Sequence, residues 1–183
     1  MLPHERAILL LGMIKTQRSH GYLVNDFIER NLSRVADMKK ATAYATLDKL
    51  AKDGWVRVTT EQVGNRPPRK VYDLTPAGEA HLDALIRKSL RAAEPLRFGS
   101  DAAVMFLDEV PLADALGALR GRLVDREAQL AAYQAAPKHG MGLGVDVALD
   151  HVKAHLAAEV DWLRRTIASL DEEMAARAGA QGR

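Results

Sequence analysis

Residues 55–78 read WVRVTTEQVGNRPPRKVYDLTPAG, and this stretch decides the fold of the first half of the chain. Trp55–Thr60 and Lys70–Leu74 alternate apolar and polar side chains, which predicts two short strands. The segment between them is rich in turn residues and holds two prolines, so the strands are expected to form a hairpin. Thr75 and Pro76 suit the N-cap and the first position of a following helix.

Three helices are predicted before this hairpin, because apolar residues recur there at helical spacing. They are expected at Pro3 to about Lys15, about Gly21 to Asn31 and about Met38 to Lys52, with Thr16–Ser19 as a turn. Asp37 is expected to cap the third helix and Gly54 to end it. Three helices followed by a hairpin is the order of a winged helix-turn-helix, so residues 1–93 are predicted to be one DNA-binding domain.

The second half, residues 94–183, has a helical pattern almost throughout. The predicted helices cover roughly Asp101–Asp108, a long segment from Pro111, and about Val145 to Ala178, with a glycine-rich break at 137–144. The long segment carries a heptad seam that is broken only by Arg126. The apolar stripes of this antiparallel pair are wide enough to need a further partner, so a homodimer is expected. Its predicted contacts are Leu149, Leu156, Val160, Leu163, Ile167 and Leu170.

Charge and composition restrict the class of protein. Residues 1–90 carry 15 Lys and Arg against 10 Asp and Glu, whereas the remainder carries 11 against 14. A basic first half favours a polyanionic partner. The chain has no cysteine, which excludes disulfides and cysteine-based zinc sites. Because no signal peptide or bilayer-length apolar run is evident, a soluble cytoplasmic protein without a membrane partner is expected.

Candidate contacts to double-stranded DNA fall on the third helix and on the hairpin. DNA binding needs cations and helix ends that hold phosphates, and side chains that reach the bases. The candidates on the helix are Lys39, Lys40, Thr42, Tyr44 and Lys49, and those on the hairpin are Arg66, Arg69 and Lys70. The alternative is a solvated helix face beside a loop with ordinary surface charge.

Two histidines, His151 and His155, lie four residues apart in the last helix. This spacing suits a metal ion. A third ligand would have to come from His139, Asp150 or another chain, so a solvated helix face is the favoured interpretation. No nucleophile motif, phosphate-binding glycine loop or carboxylate pair is evident. We therefore expect no enzyme activity, no metal and no cofactor.

Taken in order, several motifs resemble the PadR family of transcriptional regulators. These motifs are His20-Gly21-Tyr22, Thr42-Ala43-Tyr44 ahead of Leu47 and Leu50, Gly54, Arg66-Pro67-Pro68-Arg69-Lys70-Val71-Tyr72 and Leu74-Thr75-Pro76-Ala77-Gly78. In the second half, Phe106-Leu107 before Pro111 and Trp162-Leu163 are similar to the larger subfamily with a helical dimerisation arm. The resemblance implies a homodimeric regulator, usually a repressor, that is often released by a small molecule.

Three departures from the family pattern bear on the operator sequence. Lys39-Lys40-Ala41 stands where the family usually has Ser-Pro-Gly, Asp48 stands where a basic residue is common, and the wing has two prolines instead of one. They would change which bases are read, while the added lysines strengthen the attraction to phosphate.

The expected fold is mostly α with a small β-hairpin: a winged helix-turn-helix domain followed by an antiparallel helical dimerisation arm, with an effector pocket at the root of the arm. Phe98, Met105, Phe106 and Trp162 are candidates for that pocket or for the core. The expected function is a repressor that binds an inverted-repeat operator as a homodimer and responds to a small molecule. A winged-helix protein–protein adaptor without DNA binding is the alternative.

Overall fold

The structure is a computed structural model that describes residues 2–20, 24–30, 32, 38–62, 68–93, 99–135 and 142–181. The chain divides into two compact units, Met1–Pro95 and Leu96–Arg183. The sequence predicts this boundary between residues 93 and 94. Within the described ranges, no helix combines the length and the apolar character needed to cross a membrane.

The first unit is a winged helix-turn-helix. Its elements are α1 (Pro3–His20), α2 (Val24–Arg30), α3 (Lys40–Lys52), β1 (Val56–Glu61), β2 (Arg69–Leu74) and α4 (Pro76–Arg91). The two strands are antiparallel, with Val56 opposite Leu74 and Glu61 opposite Arg69. The order of described helices and strands is the one that the sequence predicts.

The core of this unit confirms the predicted apolar stripe of α3. Ala43, Leu47 and Leu50 are buried, and they pack in one cluster with side chains from the other elements of the unit. The buried members of the cluster include Leu10, Leu11, Ile28, Val56, Tyr72 and Leu82. Because α3 is held along this stripe, its opposite side is left for solvent or for a partner.

The turn after α3 sets the direction in which the chain enters the hairpin. Gly54 has a φ of 80°, a conformation that glycine adopts without steric cost. Its N–H donates to the carbonyl of Ala51 and the N–H of Trp55 donates to the carbonyl of Leu50, both at 3.0 Å. These two bonds form a Schellman motif, which confirms the predicted end of the helix. The motif leads directly into β1, so the position of the wing follows from the end of α3.

Two predicted helix boundaries in this unit are wrong. The expected turn Thr16–Ser19 is part of α1. The hydroxyl of Thr16 donates to the carbonyls of Gly12 and Met13, at 3.1 and 3.2 Å. A threonine bonded in this way is satisfied inside a helix, so the polar composition does not end α1.

The start of α3 also differs from the prediction. The helix begins at Lys40, so Lys39 takes the N-cap position, without a side-chain capping bond. Asp37, predicted for that role, lies outside the described residues. At the start of α4, by contrast, the predicted cap is confirmed: the Thr75 hydroxyl accepts the N–H of Gly78 at 3.0 Å, with Pro76 next to it.

The second unit is helical in all its described elements. They are α5 (Asp101–Met105), a 3-10 turn (Leu107–Glu109), α6 (Leu112–Ala135) and α7 (Leu143–Gln181). A single helix over Asp101–Asp108 was expected, but the backbone leaves the helical region at Phe106 (φ −116°, ψ 25°). The break separates α5 from the 3-10 turn and brings Phe106 and Leu107 to the wall of a cavity.

Helices α6 and α7 form the antiparallel pair that was predicted. Leu116 of α6 and Leu163 of α7 are fully buried. Ion pairs join the two helices at both flanks, between Arg120 and Asp171 and between Arg164 and Glu127, each at 2.6 Å. These pairs fix the register of the arm.

Candidate nucleic-acid interface

Four of the five predicted contacts on the third helix lie at its start: Lys39, Lys40, Thr42 and Tyr44. Lys39 and Lys40 are exposed, whereas Thr42 and Tyr44 are half-buried. Free N–H groups give the start of a helix a partial positive charge. Two lysines at the same end add to this charge, so the start of α3 is suited to hold an anion such as a phosphate.

Glu29 of α2 connects that end of α3 to the rest of the unit. Its carboxylate lies 2.5 Å from the Nζ of Lys40 and accepts a hydrogen bond from the Tyr44 hydroxyl at 3.1 Å. The bond from Lys40, and then the bond from Tyr44, lower the pKa of Glu29. The pKa of Tyr44 is raised, first by burial and then by the bond to Glu29. The carboxylate therefore stays ionised and ties α2 to α3.

The root of the wing meets the same two helices. The Nζ of Lys70 lies 3.7 Å from a carboxylate oxygen of Asp48 on α3. The side-chain amide of Asn25 on α2 donates to the backbone carbonyl of Lys70 at 2.7 Å. Asn25 and Glu29 are one helical turn apart, so one face of α2 contacts both α3 and β2. Through this face, α2 holds both the Lys40 end of α3 and the backbone of β2 at Lys70.

The remaining predicted contacts are placed differently. Lys49 pairs with Asp53 at 2.8 Å in the last turn of α3, away from the start of the helix. Arg69 lies 3.6 Å from Glu61 on the neighbouring strand. Arg66 lies outside the described residues. The paired cations are all substantially exposed, and exposed pairs contribute about 0–1 kcal/mol, so a phosphate can replace the carboxylate at little cost.

The bonds by which Asn25 and Glu29 join α2 to β2 and α3 were not predicted from the sequence. Neither belongs to a motif, and their partners lie far along the chain, on another helix and on a strand. Asp48 was noted only as a departure from the family pattern. Its position beside Lys70 gives it a structural partner on the wing.

The predicted dimerisation residues fall into two groups. Val160, Leu163 and Ile167 are buried within the single chain, so they already have packing partners there. Leu149, Leu156 and Leu170 are half-buried. The described part of the second unit also exposes many large apolar side chains, namely Met105, Phe106, Val110, Val124, Tyr133, Leu143, Val147, Val152 and Met174.

An apolar cavity of about 410 Å3, open to solvent, is formed by residues of the second unit. Its lining includes Val104, Phe106, Leu119, Arg122, Trp162 and Thr166. The guanidinium of Arg122 lies 5.7 Å from the centre of the Trp162 ring, within the range of a cation–π contact. Of the two roles predicted for Phe106 and Trp162, pocket or core, both residues take the first and line this cavity. Met105 is exposed, and Phe98 lies outside the described residues.

A second cavity of about 330 Å3 shares Arg122 and Trp162 with the first and is also lined by Glu159. Arg122 and Arg126 both donate to this carboxylate, Arg122 through Nε at 2.8 Å and Arg126 at 3.2 Å. Burial raises the pKa of Glu159, whereas the hydrogen bond and charge of Arg122 and the charge and bond of Arg126 lower it. The lowering effects are larger in sum, so the pKa lies below its ordinary value. The break that Arg126 makes in the heptad seam is therefore the site of a polar cluster.

Comparison with known proteins agrees with this geometry. The sequence profile described as "Transcriptional regulator PadR-like family" matches residues 10–84. The chain is 32% identical over 96 residues to the "Probable transcriptional regulator Rv1176c" of Mycobacterium tuberculosis, which corresponds to 52% of this chain and 49% of that protein. It thus spans about half the length of this curated relative.

Solved structures share the fold over most of the chain. Bacillus subtilis PadR in complex with operator DNA superposes with a TM-score of 0.69 and 20% identity, over 89% of this chain and 99% of PadR. The same protein in complex with p-coumaric acid gives a TM-score of 0.66 and 19% identity, over 91% and 97%. Residues 10–84 therefore match the sequence profile of the PadR-like family of transcriptional regulators, and the solved PadR structures share the fold of the chain.

Proposed function

We propose that this chain binds an inverted-repeat operator as a homodimer and represses transcription from it. The observation that supports this most is the continuity between the recognition helix and the wing. Lys40 at the start of α3 and Lys70 on β2 are connected through one face of α2, by Glu29 and Asn25. We propose that the cations on both elements form one surface toward the duplex, which is what a winged helix needs to hold it.

The homodimer is proposed because two recognition helices can then bind one duplex. A recognition helix enters one major groove, and two such helices about 34 Å apart reach successive grooves on one side of the duplex. An operator read in this way is an inverted repeat. The operator complex of Bacillus subtilis PadR, a protein of the same fold, supports DNA as the partner.

A salt titration of DNA binding tests this proposal. An operator is first selected from a random pool of duplexes, and its affinity is then measured by fluorescence anisotropy at several salt concentrations. Each lost phosphate contact reduces the slope of log affinity against log salt by about 0.9. Lys40→Ala, Arg69→Ala and Lys70→Ala should therefore each lower the slope by about 2 in a dimer.

Lys88→Ala serves as the matched control, because this exposed lysine lies on α4, outside the surface formed by α2, α3 and β2. It should leave the slope close to that of the unchanged protein. If the three test variants behave like this control, the assignment of the contacts is wrong. A chain that binds no duplex even at low salt would instead be an adaptor.

The dimer surface is proposed to be the part of the arm that a single chain leaves partly uncovered. Leu149, Leu156 and Leu170 contribute the half-buried positions, with exposed Val147 and Val152 beside them on α7. The buried Val160, Leu163 and Ile167 support that surface from within the arm. Apolar exposure on this scale in a small helical unit is typical of an interface.

A small molecule is proposed to release the repressor by binding the cavity of about 410 Å3 in the second unit. This volume suits a small ligand, and its mainly apolar wall with one guanidinium is typical of such sites. The complex of Bacillus subtilis PadR with p-coumaric acid shows that a protein of this fold takes a ligand.

The fluorescence of Trp162 reports on occupancy of this cavity, since its ring lines the wall. Titration with a panel of small aromatic acids should change that fluorescence and weaken operator binding. Val104→Trp should fill the cavity and abolish both effects, whereas Val124→Trp, at an exposed position of α6, should abolish neither. A ligand that acts equally on both variants does not use this cavity.

A further inference from the structure

A pair of histidines on α7 has no role in the proposed DNA surface and is not among the side chains assigned to the dimer contact. His151 and His155 are exposed and lie four residues apart. Their Nε2 atoms are 2.9 Å apart and the two ring planes are at 83° to each other. The spacing alone favoured a solvated face, but the structure adds that the two Nε2 atoms lie within hydrogen-bond distance of each other.

The distance between the two nitrogens has a chemical meaning. Imidazole nitrogens bind Zn2+ at about 2.0–2.1 Å, and two nitrogens 2.9 Å apart then meet one ion at an angle of about 90°. This is the angle between neighbouring ligands in square-planar or octahedral coordination, which Cu2+ and Ni2+ prefer. In the absence of an ion, one ring can donate its Nε2–H to the other. When an ion binds, that ring carries its proton on Nδ1 instead, so that both Nε2 lone pairs can face the metal.

We propose that His151 and His155 chelate one divalent transition-metal ion through both Nε2 atoms, with Cu2+ and Ni2+ as the best fits. Water supplies the remaining ligands, because the described part of the chain holds no cluster of three or more His, Cys, Asp or Glu side chains suited to a metal. His155 also lines the cavity of about 330 Å3, together with Asp101 and Trp162. The proposed ion therefore lies at the edge of that cavity.

Titration of the full-length protein with CuCl2 or NiCl2 in a buffer that does not chelate metals tests the proposal. We expect one ion per chain, and affinities that fall in the order Cu2+, Ni2+, Co2+, Mn2+, as nitrogen ligands dictate. Cu2+ should also quench the fluorescence of Trp162. Mg2+ should not compete, because it requires oxygen ligands.

Two variants separate chelation from binding by single histidines. His155→Gln should weaken Cu2+ binding at least about tenfold, because the second ligand then no longer acts at high effective concentration. The exchange of Lys153→His with His155→Lys keeps the number of histidines but moves the second ring away from the first, since residues two apart do not share a helix face. It should lose as much affinity as His155→Gln.

His4→Gln is the control, since it removes a histidine from the first unit. It should bind Cu2+ as the unchanged protein does. The proposal is overturned if the exchanged variant or His155→Gln keeps the original affinity, or if Mn2+ binds as tightly as Cu2+. These results are independent of DNA binding, so a failure of the operator assignment would leave the metal site to be judged by itself.

Discussion

At the scale of single residues, Gly78 leaves the least room for a side chain among the described glycines of the first unit. A Cβ atom there would lie 2.9 Å from the carbonyl carbon of Trp55 and still closer to its oxygen. Because the obstacle is backbone, Gly78→Ala should force α4 away from β1 and destabilise the unit by about 1–3 kcal/mol. Urea unfolding followed by the fluorescence of Trp55, in a Trp162→Phe background, measures this loss.

Gly12→Ala is the matched control for that prediction. Gly12 lies in α1 and has no atoms near the place of a Cβ. Alanine in a helix is favoured over glycine by about 0.5–1 kcal/mol, so this variant should unfold at a higher urea concentration. Equal unfolding midpoints for the two variants would show that α4 does not approach Trp55 as closely as described.

Glu159 makes the stability of the arm depend on pH. Its pKa is lowered in the folded chain, so the carboxylate stabilises the fold above the ordinary value of 4.5. This contribution is lost as the pH falls through the lowered pKa. Glu159→Gln should therefore cost about 1–2 kcal/mol at pH 7, and the difference from the unchanged protein should shrink below pH 4.5.

Urea unfolding at pH 7 and pH 4, followed by Trp162 in a Trp55→Phe background, checks this prediction. Glu172→Gln, at an exposed position of α7, provides the comparison. A difference between Glu159→Gln and the unchanged protein that stays constant over this pH range would show that the carboxylate is not held by Arg122 and Arg126.

At the scale of elements, the sequence predicted what depends on local chemistry. The stripe of α3, its end at Gly54, the hairpin and the cap at Thr75 each follow from residues within a few positions of one another. The ends of α1 and α5 could not be predicted in this way. The hydrogen bonds of the Thr16 hydroxyl and the backbone conformation at Phe106 determine them, and composition specifies neither. The link from α2 to α3 and β2 was beyond the sequence, since Glu29 and Asn25 find partners only through tertiary packing.

The contact of Glu29 with α3 also predicts how this residue affects DNA affinity. Glu29 places a negative charge between Lys40 and Tyr44, where phosphate is proposed to bind. Glu29→Gln removes this charge and releases Lys40, so duplex affinity at low salt should rise by about two- to fivefold. Anisotropy with the selected operator measures the change, and Glu79→Gln on α4 should leave the affinity unaltered. A loss of affinity would mean that Glu29 acts mainly by positioning α3.

At the scale of the whole molecule, the two halves of the chain were predictable to different degrees. The change from helical to strand periodicity in the first half predicts the winged domain. The heptad seam gave the antiparallel pair of α6 and α7. Periodicity could not tell which side of a stripe faces the same chain and which faces another, because both contacts need the same apolar residues. Only the burial of Val160, Leu163 and Ile167 within one chain separates the two sets.

This separation leads to a prediction about assembly. Leu149→Gln combined with Leu156→Gln changes half-buried positions of α7, so the arm should stay helical while the dimer dissociates. Loss of the second recognition helix should then weaken operator binding at least about a hundredfold, since two linked contacts reinforce each other by about 10²–10⁴. Light scattering gives the mass, circular dichroism the helix content, and anisotropy the affinity.

Leu163→Ala provides the contrast, because Leu163 is completely buried within its own chain. Removing its side chain leaves a cavity and should lower the free energy of unfolding of the arm by about 2–5 kcal/mol. We therefore expect the arm to unfold at a lower urea concentration, and any dissociation of the dimer to result from this lost stability. A double variant that keeps the dimer mass and the affinity of the unchanged protein would place the subunit contact elsewhere. A Leu163→Ala protein that dissociates with unchanged arm stability would reverse the roles given to the two sets of residues.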